Sequence, residues 1–426
     1  MESIVIHGPS RASGNIRLAG NKNAALPMIA AAMMTDEPVI LHNVPDILDV
    51  RNMLRIAEDI GAAVQFSDNT LRIDASSVHS ADVTPELSKL TRTSFLFAGP
   101  LCVRFCHSSI YNPGGDVIGR RRLDPHLYGL SKLGMKIDIL EDHYEFSAAG
   151  LAGSEMFLDE ASVTATEHIL MVAARSEGVT MIRNAACEPH VTQLAEMLCA
   201  MGARITGFGT NILVIEGARR LRGVEMTVQS DHVEAVSYMT LCAATGGDIH
   251  VEGKIAPHDY WMPRRVFERF GCQFTIQPDL ITMAAPERLV VKPDLNNAIP
   301  CISDGPWPQF PSDMMSCMIA LATQSQGTVL FFEKMFESRL YFVDKLISMG
   351  ANAIVCDPHR VVISGPVQLH GVEMNSPDIR AGMAMVIAAC CAKGTSIIRN
   401  IDMIRRGYEH LDSKLQQLGI NFELCP

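Results

Sequence analysis

Apolar and polar positions follow one short pattern six times along the chain. "IAEDIGAAVQF" around Gly61, "LSKLGMKIDIL" around Gly134 and "MLCAMGARITG" around Gly202 each run at helical spacing into a glycine and continue in strand-like alternation. "VFERFGCQFTI" at Gly271, "LISMGANAIVC" at Gly350 and "LQQLGINFELC" at Gly419 do the same. The glycines fall about 70 residues apart, a period long enough for a supersecondary unit of its own. In the first unit Val50, Met53, Leu54, Ala57 and Ile60 share one face, which predicts a helix over 49–60 that Gly61 stops. "NTLRIDA" (69–75), "NILVIEG" (211–217) and "RVVISGP" (360–366) alternate as strands do.

A second kind of helix is small-sided and apolar nearly all round: "LPMIAAAMM", "EHILMVAARSEG", "VSYMTLCAATGG", "SCMIALATQSQG" and "GMAMVIAACCAKG". Helices of this kind belong in a core. Six α/β units exceed one core, so the pattern predicts two groups of three, broken near Ser230–Val233. Without long Gly/Ser linkers the groups are expected to face each other across a cleft. One open α/β sheet is the alternative that periodicity leaves standing.

Composition narrows the function. The 426 residues are 48% hydrophobic and 19% charged, enough for a sizeable core in two or three domains. A formal net charge of -11 argues against nucleic acid or an anionic membrane as the main partner, but leaves room for a small anion on a local basic cluster. The 12 cysteines lack the short CxxC spacing of zinc and redox sites and are read as reduced, core-filling thiols of a cytoplasmic protein. The start "MESIVIHGPSRASG" does not resemble a secretory signal, and no apolar run approaches membrane-spanning length.

Two segments carry candidate chemistry. In "LAGNKNAALPMIAAAMM", Asn21 and Asn23 are candidate caps, Pro27 is tolerable near the first turn, and Lys22 stands where backbone N–H groups point outward. A cation there opposes the helix dipole unless an anion joins it, which makes Lys22 a phosphate-site candidate. In "YNPGGDVIGRRRLDPHLYG", Asp116 follows a Gly-Gly pair and precedes Arg120, Arg121 and Arg122. Alone, "PGGD" reads equally as a turn with a capping aspartate.

"GNKNAALP", "PGGDVIGRRRLDPH", "FPSDMMSCM", "FESRL", "DIRAGMA" and "RRGYEHLDSKL" occur in the order of similar segments in UDP-N-acetylglucosamine enolpyruvyl transferases, and the resemblance runs from about residue 3 to residue 424. It implies a two-domain inside-out α/β barrel of the α+β type, each domain three βαβαββ-like repeats around buried helices, with the substrates in the interdomain cleft. The implied domains are 22–232, and 1–21 plus 233–426. The implied activity is transfer of the enolpyruvyl group of phosphoenolpyruvate (PEP) to the 3-hydroxyl of UDP-N-acetylglucosamine with release of phosphate. That reaction opens peptidoglycan synthesis and uses no metal or organic cofactor.

The resemblance also assigns residues. Segment 111–122 resembles a mobile lid over PEP. At the Asp116 position most of the family carries cysteine and a subgroup carries aspartate. Asp116 is then the acid that protonates C-3 of PEP and later retrieves a proton. Neighbouring arginines favour its ionised form, and closure over a dianion favours the protonated one. Lys22, Arg121 and Arg406 match positions around PEP, with Arg380 and Arg339 further matches; planar guanidinium forks suit phosphate and carboxylate oxygens. Arg120 and Arg122 read more readily as solvated lid charges.

Asp313 matches the carboxylate that contacts the sugar 3-hydroxyl and accepts its proton, and it doubles as a candidate N-cap. Asn23, Arg92, the backbone of 121–125 (Arg121, Arg122, Leu123, Asp124, Pro125), Ser162, Val163 and Met335 match nucleotide contacts, and His126 matches a histidine near the uridine. Glu160 stands where the family often has lysine, which keeps a different uridine-nucleotide acceptor open. Glu188 and Asp231 match motif acids without assigned roles. A paralogue that binds nucleotide without catalysis is a further alternative, opposed by intact Lys22, Asp116, Asp313 and Arg406.

Overall fold

The structure, a computed structural model, describes residues 2–115, 118–119 and 121–425. Among them the chain divides into two compact units, 20–115 with 121–228, and 2–19 with 118–119 and 229–425.

The repeating glycines end helices as the pattern predicts. Gly61, Gly134, Gly202, Gly271, Gly350 and Gly419 all have φ between 74° and 124°, a backbone state costly for residues with a Cβ. The first of these helices spans Leu48–Asp59, and the alternating segments become strands Thr70–Asp74, Ile212–Glu216 and Arg360–Gly365.

The described residues form six four-stranded sheets rather than one open sheet, and all share one order of strand senses. In the sheet around Val39–His42, that strand pairs parallel with Val224–Thr227 and antiparallel with Thr70–Asp74, which pairs antiparallel with Ala63–Ser67. The Val224–Thr227 strand comes from the far end of its unit and closes the threefold set. In the other unit the chain's first strands close it: Ser3–Gly8 lies between Gly394–Arg399 and Phe422–Cys425, and Gly14–Arg17 runs parallel to Asp248–Glu252. Strand pairing therefore explains why the amino-terminal residues belong with the second half of the chain.

The unit boundaries differ by a few residues from the expected 21/22 and 232/233. Asp231 donates its N–H to the Ala19 carbonyl (2.9 Å), and Ser230 donates to Lys254 O (3.0 Å), so 229–232 go with the later unit. Gly20 goes with the earlier one, so close to Asn43 that a Cβ would lie 1.7 Å from its carbonyl oxygen.

The small-sided helices form the cores. Lys22–Ala32 and Val163–Ala173 pack together in one unit; His232–Thr245, Ser312–Ala322 and Ile379–Cys391 pack on each other in the second. Every residue of Ile379–Cys391 is buried. Burying each large apolar side chain is worth about 1.5–3 kcal/mol, which is why no polar face survives on these helices. The sixth core element, not among the five predicted, is a 3-10 turn over Arg92–Phe97 running into a helix over Ala98–Phe105. Its Gly99-Pro100 pair and its aromatics obscure the helical period. No helix among the described residues is long and apolar enough to cross a membrane.

Candidate active site

The expected site residues fall in both units. In the first, Asn21 caps the Lys22–Ala32 helix, its side-chain oxygen accepting from the N–H groups of Asn23 (2.9 Å) and Ala24 (3.2 Å). Asn23 is thus a first-turn residue and not a second cap. Pro27 sits deeper than the first turn, at the sixth helical position, where its ring nitrogen cannot donate to the Asn23 carbonyl. The anion that joins Lys22 is a side chain: Nζ is 2.8 Å from Asp49 Oδ2, and both side chains are largely buried. Asp49 is a partner of Lys22 that sequence reading missed. It had left a signal, an acid at i, i+4 and i+7 with Met53 and Ile56 on the buried helix face.

Arg92 and Arg121 come together at a cavity of about 380 Å³, lined also by Asn112, Pro113, Leu123, Asp124, Leu127, Ile139 and Tyr144. Arg92 Nη2 donates to the carbonyls of Arg121 (2.8 Å) and Arg122 (3.1 Å), fixing the chain at the head of the Asp124–Lys132 helix. Burial, then the neighbouring Arg121 charge, pushes the Arg92 guanidinium down to about 10, so it remains a cation at neutral pH. Two guanidiniums that raise each other's energy form a site whose field an incoming anion relieves. Arg122 is exposed; its Nε lies 3.2 Å from Asp124 Oδ2, and Glu160 and Asp159 add to the field that holds it protonated.

His126 joins the remaining nucleotide-contact candidates. The backbone N–H of Gly99 donates to His168 Nε2 (2.8 Å), which leaves the His168 proton on Nδ1, 3.1 Å from His126 Nδ1. His126 must then carry its proton on Nε2 and donate to Thr164 Oγ1 (3.0 Å). Burial pushes His168 down to about 3 and, with the charges of His168, Arg92 and Arg121, holds His126 well below its ordinary value. Both rings are therefore neutral struts. They tie Leu123–His126 to the start of the Val163–Ala173 helix, where Ser162 and Val163 are half-buried and Glu160 is exposed. Glu188 precedes the Pro189–Met201 helix and, after burial, helps raise the buried Glu167 carboxyl.

In the second unit Asp313 occupies the first turn of the Ser312–Ala322 helix, which follows Pro311, so it is not the cap that its sequence suggested. Its Oδ1 accepts from Arg339 Nη2 (2.9 Å), and its Oδ2 accepts from Arg380 Nε (3.2 Å) and Nη2 (3.1 Å). The arginine side chains are 2% and 5% exposed, against 32% for Asp313, so the carboxylate is held from behind and open in front. Burial lowers the Arg380 guanidinium, but Asp313, Tyr408 and Asp231 outweigh it and leave it well above its ordinary value. Arg380 also stands 5.4 Å over the Tyr408 ring. Asp231 has a structural task, capping the His232–Thr245 helix through the N–H groups of Val233 (2.8 Å) and Glu234 (3.2 Å). Met335 and Arg406 are half-buried, and Arg406 Nη1 is 3.6 Å from Met403 Sδ. Asp116 and Arg120 lie outside the described residues.

Residues 6–415 match the family of EPSP synthase (3-phosphoshikimate 1-carboxyvinyltransferase). The chain is 48% identical over 425 residues to the UDP-N-acetylglucosamine 1-carboxyvinyltransferase of Treponema denticola, covering 100% of this chain and 99% of the relative. It is 47% identical to that of Bradyrhizobium diazoefficiens, covering 99% and 98%. Among solved structures, the enolpyruvyl transferase NikO from Streptomyces tendae superposes with a TM-score of 0.89 at 22% identity, covering 100% of this chain and 99% of that one. EPSP synthase from Acinetobacter baumannii gives 0.75 at 17%, covering 100% of each; these two likenesses speak for the fold. With six sheets of one topology, an arginine-clamped carboxylate and full-length relatives, the chain belongs to the enolpyruvyl transferase family, among the UDP-N-acetylglucosamine 1-carboxyvinyltransferases.

Proposed function

We infer that this protein transfers the enolpyruvyl group of PEP to the 3-hydroxyl of UDP-N-acetylglucosamine, releasing phosphate. The observation that carries the reading is Asp313, fixed by two buried guanidiniums, a third exposed and not spent on capping its helix. A carboxylate so held suits one task above others: orienting a hydroxyl and accepting its proton. Relatives of this name matching the full length support the acceptor.

In the proposed reaction Asp116 gives its carboxyl proton to C-3 of PEP, leaving C-2 with oxocarbenium character. The sugar oxygen attacks C-2 as its proton passes to Asp313. The bond from C-2 to the phosphate oxygen then breaks, phosphate departs with the electron pair, and a C-3 proton returns to the Asp116 carboxylate to restore the double bond. Lys22, Arg121 and Arg406 hold the charges of PEP, with Arg339 and Arg380 orienting Asp313. The cavity at Arg92, Arg121, Leu123 and Asp124 suits a nucleotide, since it offers apolar walls beside two cations. Asn23, Pro125, His126, Ser162, Val163 and Met335 are the further residues proposed to serve nucleotide binding. Arg122, in the field of Glu160, offers the nucleotide a cation. The product is destined for peptidoglycan synthesis in the cytoplasm, and so for cell shape and division.

Phosphate release from PEP, assayed with different acceptors, tests the reading. Release is expected with UDP-N-acetylglucosamine and not with shikimate 3-phosphate. Release with another uridine nucleotide alone, or with no acceptor at all, overturns it.

A further inference from the structure

Behind Asp313, within the same unit, lie two acids to which the proposed reaction gives no part. Asp304 and Glu333 are both 0% exposed, and their carboxyls meet side chain to side chain. We propose that Asp304 and Glu333 share one proton and, as that neutralised pair, position both arms of the Asp313 half-site.

The contacts define the two arms. Glu333 follows the Gly327–Phe332 strand, and its carboxyl takes Ser312 Oγ at 3.0 and 2.8 Å, holding the residue just before Asp313. Its Oε1 also accepts from the N–H groups of Met335 (3.2 Å) and Phe336 (3.1 Å), setting the turn that carries Met335 and leads to Arg339. Arg339 stands 5.3 Å over the Phe336 ring and donates to Asp313. One carboxyl therefore holds the start of the Asp313 helix and the base of the Arg339 arm together.

The sharing of a proton follows from the oxygens. Asp304 Oδ1 accepts from Lys334 N–H at 2.5 Å, whereas Asp304 Oδ2 is buried without a donor among the described residues. Two carboxyls in contact, both buried and one with an oxygen that no donor reaches, are untenable as two anions and call for a shared proton. The other charged or titratable groups facing the pair leave this unchanged. Lys334 directs its ammonium to Gln309 (3.3 Å), and His359 Nδ1 lies 2.7 Å from the Glu333 carbonyl. Arg339 attracts an ionised Glu333, but burial first and Asp304 second outweigh it and push Glu333 up to about 8. The consequence is specific: once Glu333 ionises, it competes with Asp313 for Arg339, whose Nε is buried with no partner among the described residues.

Glu333→Gln tests this, because glutamine keeps the acceptor oxygen and offers Asp304 an N–H in place of the shared proton. Infrared difference spectra of the full chain between acid and alkaline pH are expected to show a protonated-carboxyl band that disappears near the value given for Glu333 and is missing from the variant. Calorimetric binding of UDP-N-acetylglucosamine is expected to weaken about tenfold in the wild type from roughly pH 7 to 9 and to stay within about twofold in Glu333→Gln. Asp304→Asn provides a second variant, expected to lose the band at neutral pH because asparagine donates to an ionised Glu333. Persistence of the band in either variant, or identical pH profiles for wild type and Glu333→Gln, overturns the proposal. The binding readout rests on the acceptor proposed above, whereas the infrared readout does not, so a wrong acceptor and a wrong pair fail separately.

Discussion

The arginines around the Arg92–Arg121 cavity and those around Asp313 solve opposite electrostatic problems. At the cavity two cations push against each other beside half-open space, and burial with that repulsion brings Arg92 down to about 10. At Asp313 two cations converge on one carboxylate and are almost wholly buried behind it. The first arrangement stores unfavourable energy that a bound anion can release; in the second the carboxylate is already paired before any ligand arrives. The lesson is that binding energy is available at the cavity, whereas geometric order is built in at Asp313.

The largest effect is expected at the residue proposed to carry the proton. Asp116→Asn should cut turnover below about a tenth of wild type while calorimetric nucleotide binding persists, since only the proton carrier is lost. Asp116→Cys should gain time-dependent inactivation by an epoxide that leaves the native protein untouched, because a thiolate is much the better nucleophile.

The comparison itself is sharpened by removing one charge from each region. Asp313→Ala should lower unfolding free energy in urea by about 3 kcal/mol, the lower end of the cost of leaving buried charges uncompensated, because Asp313 is partly open. Arg121→Ala should leave stability within about 0.5 kcal/mol and raise KM for PEP roughly tenfold or more, the cost of one charge-assisted contact. Equal stability losses in the two variants would break the distinction. Arg122→Ala should raise KM for the nucleotide only about two- to fivefold, as suits an exposed cation.

A last contrast lies in the pH dependence of stability. Glu333 ordinarily titrates at 4.5 and in the fold at about 8, so between those values the native state binds more protons than the unfolded one. The stability it contributes is present below about 4.5 and lost as pH rises toward about 8. Melting temperatures of wild type and Glu333→Gln should converge toward the acid end of that window and separate across it. Parallel curves would remove the linkage.

Much of this was legible in the residues. The glycine-stopped helices and small-sided core helices announced six repeats, because a left-handed stop and an all-apolar helix leave local marks. Lys22 stood out as a cation at a helix start and Asp313 as a candidate cap, although Lys22 pairs with Asp49 and Asp313 sits within the first turn. The helix over 98–105 was hidden because a 3-10 turn and Pro100 break the period that pattern reading depends on. Asp49 was visible only as an acid on an apolar face. The His126–His168–Thr164 chain left no such mark, since His126 lies about 40 positions from the other two and meets them only when two helices pack.

The sequence by itself determined the repeat count, five of the buried helices and the inventory of reactive groups, because each depends on residue type and on spacing within one element. Tertiary structure alone decided which strands close each threefold set, which carboxylate sits between Arg339 and Arg380, and that Asp304 meets Glu333. The physical reason is range. Helix and strand periodicity are set by neighbours a few residues away, while sheet closure, charge pairing and proton sharing act across whatever distant segments the packed core brings within a few ångströms.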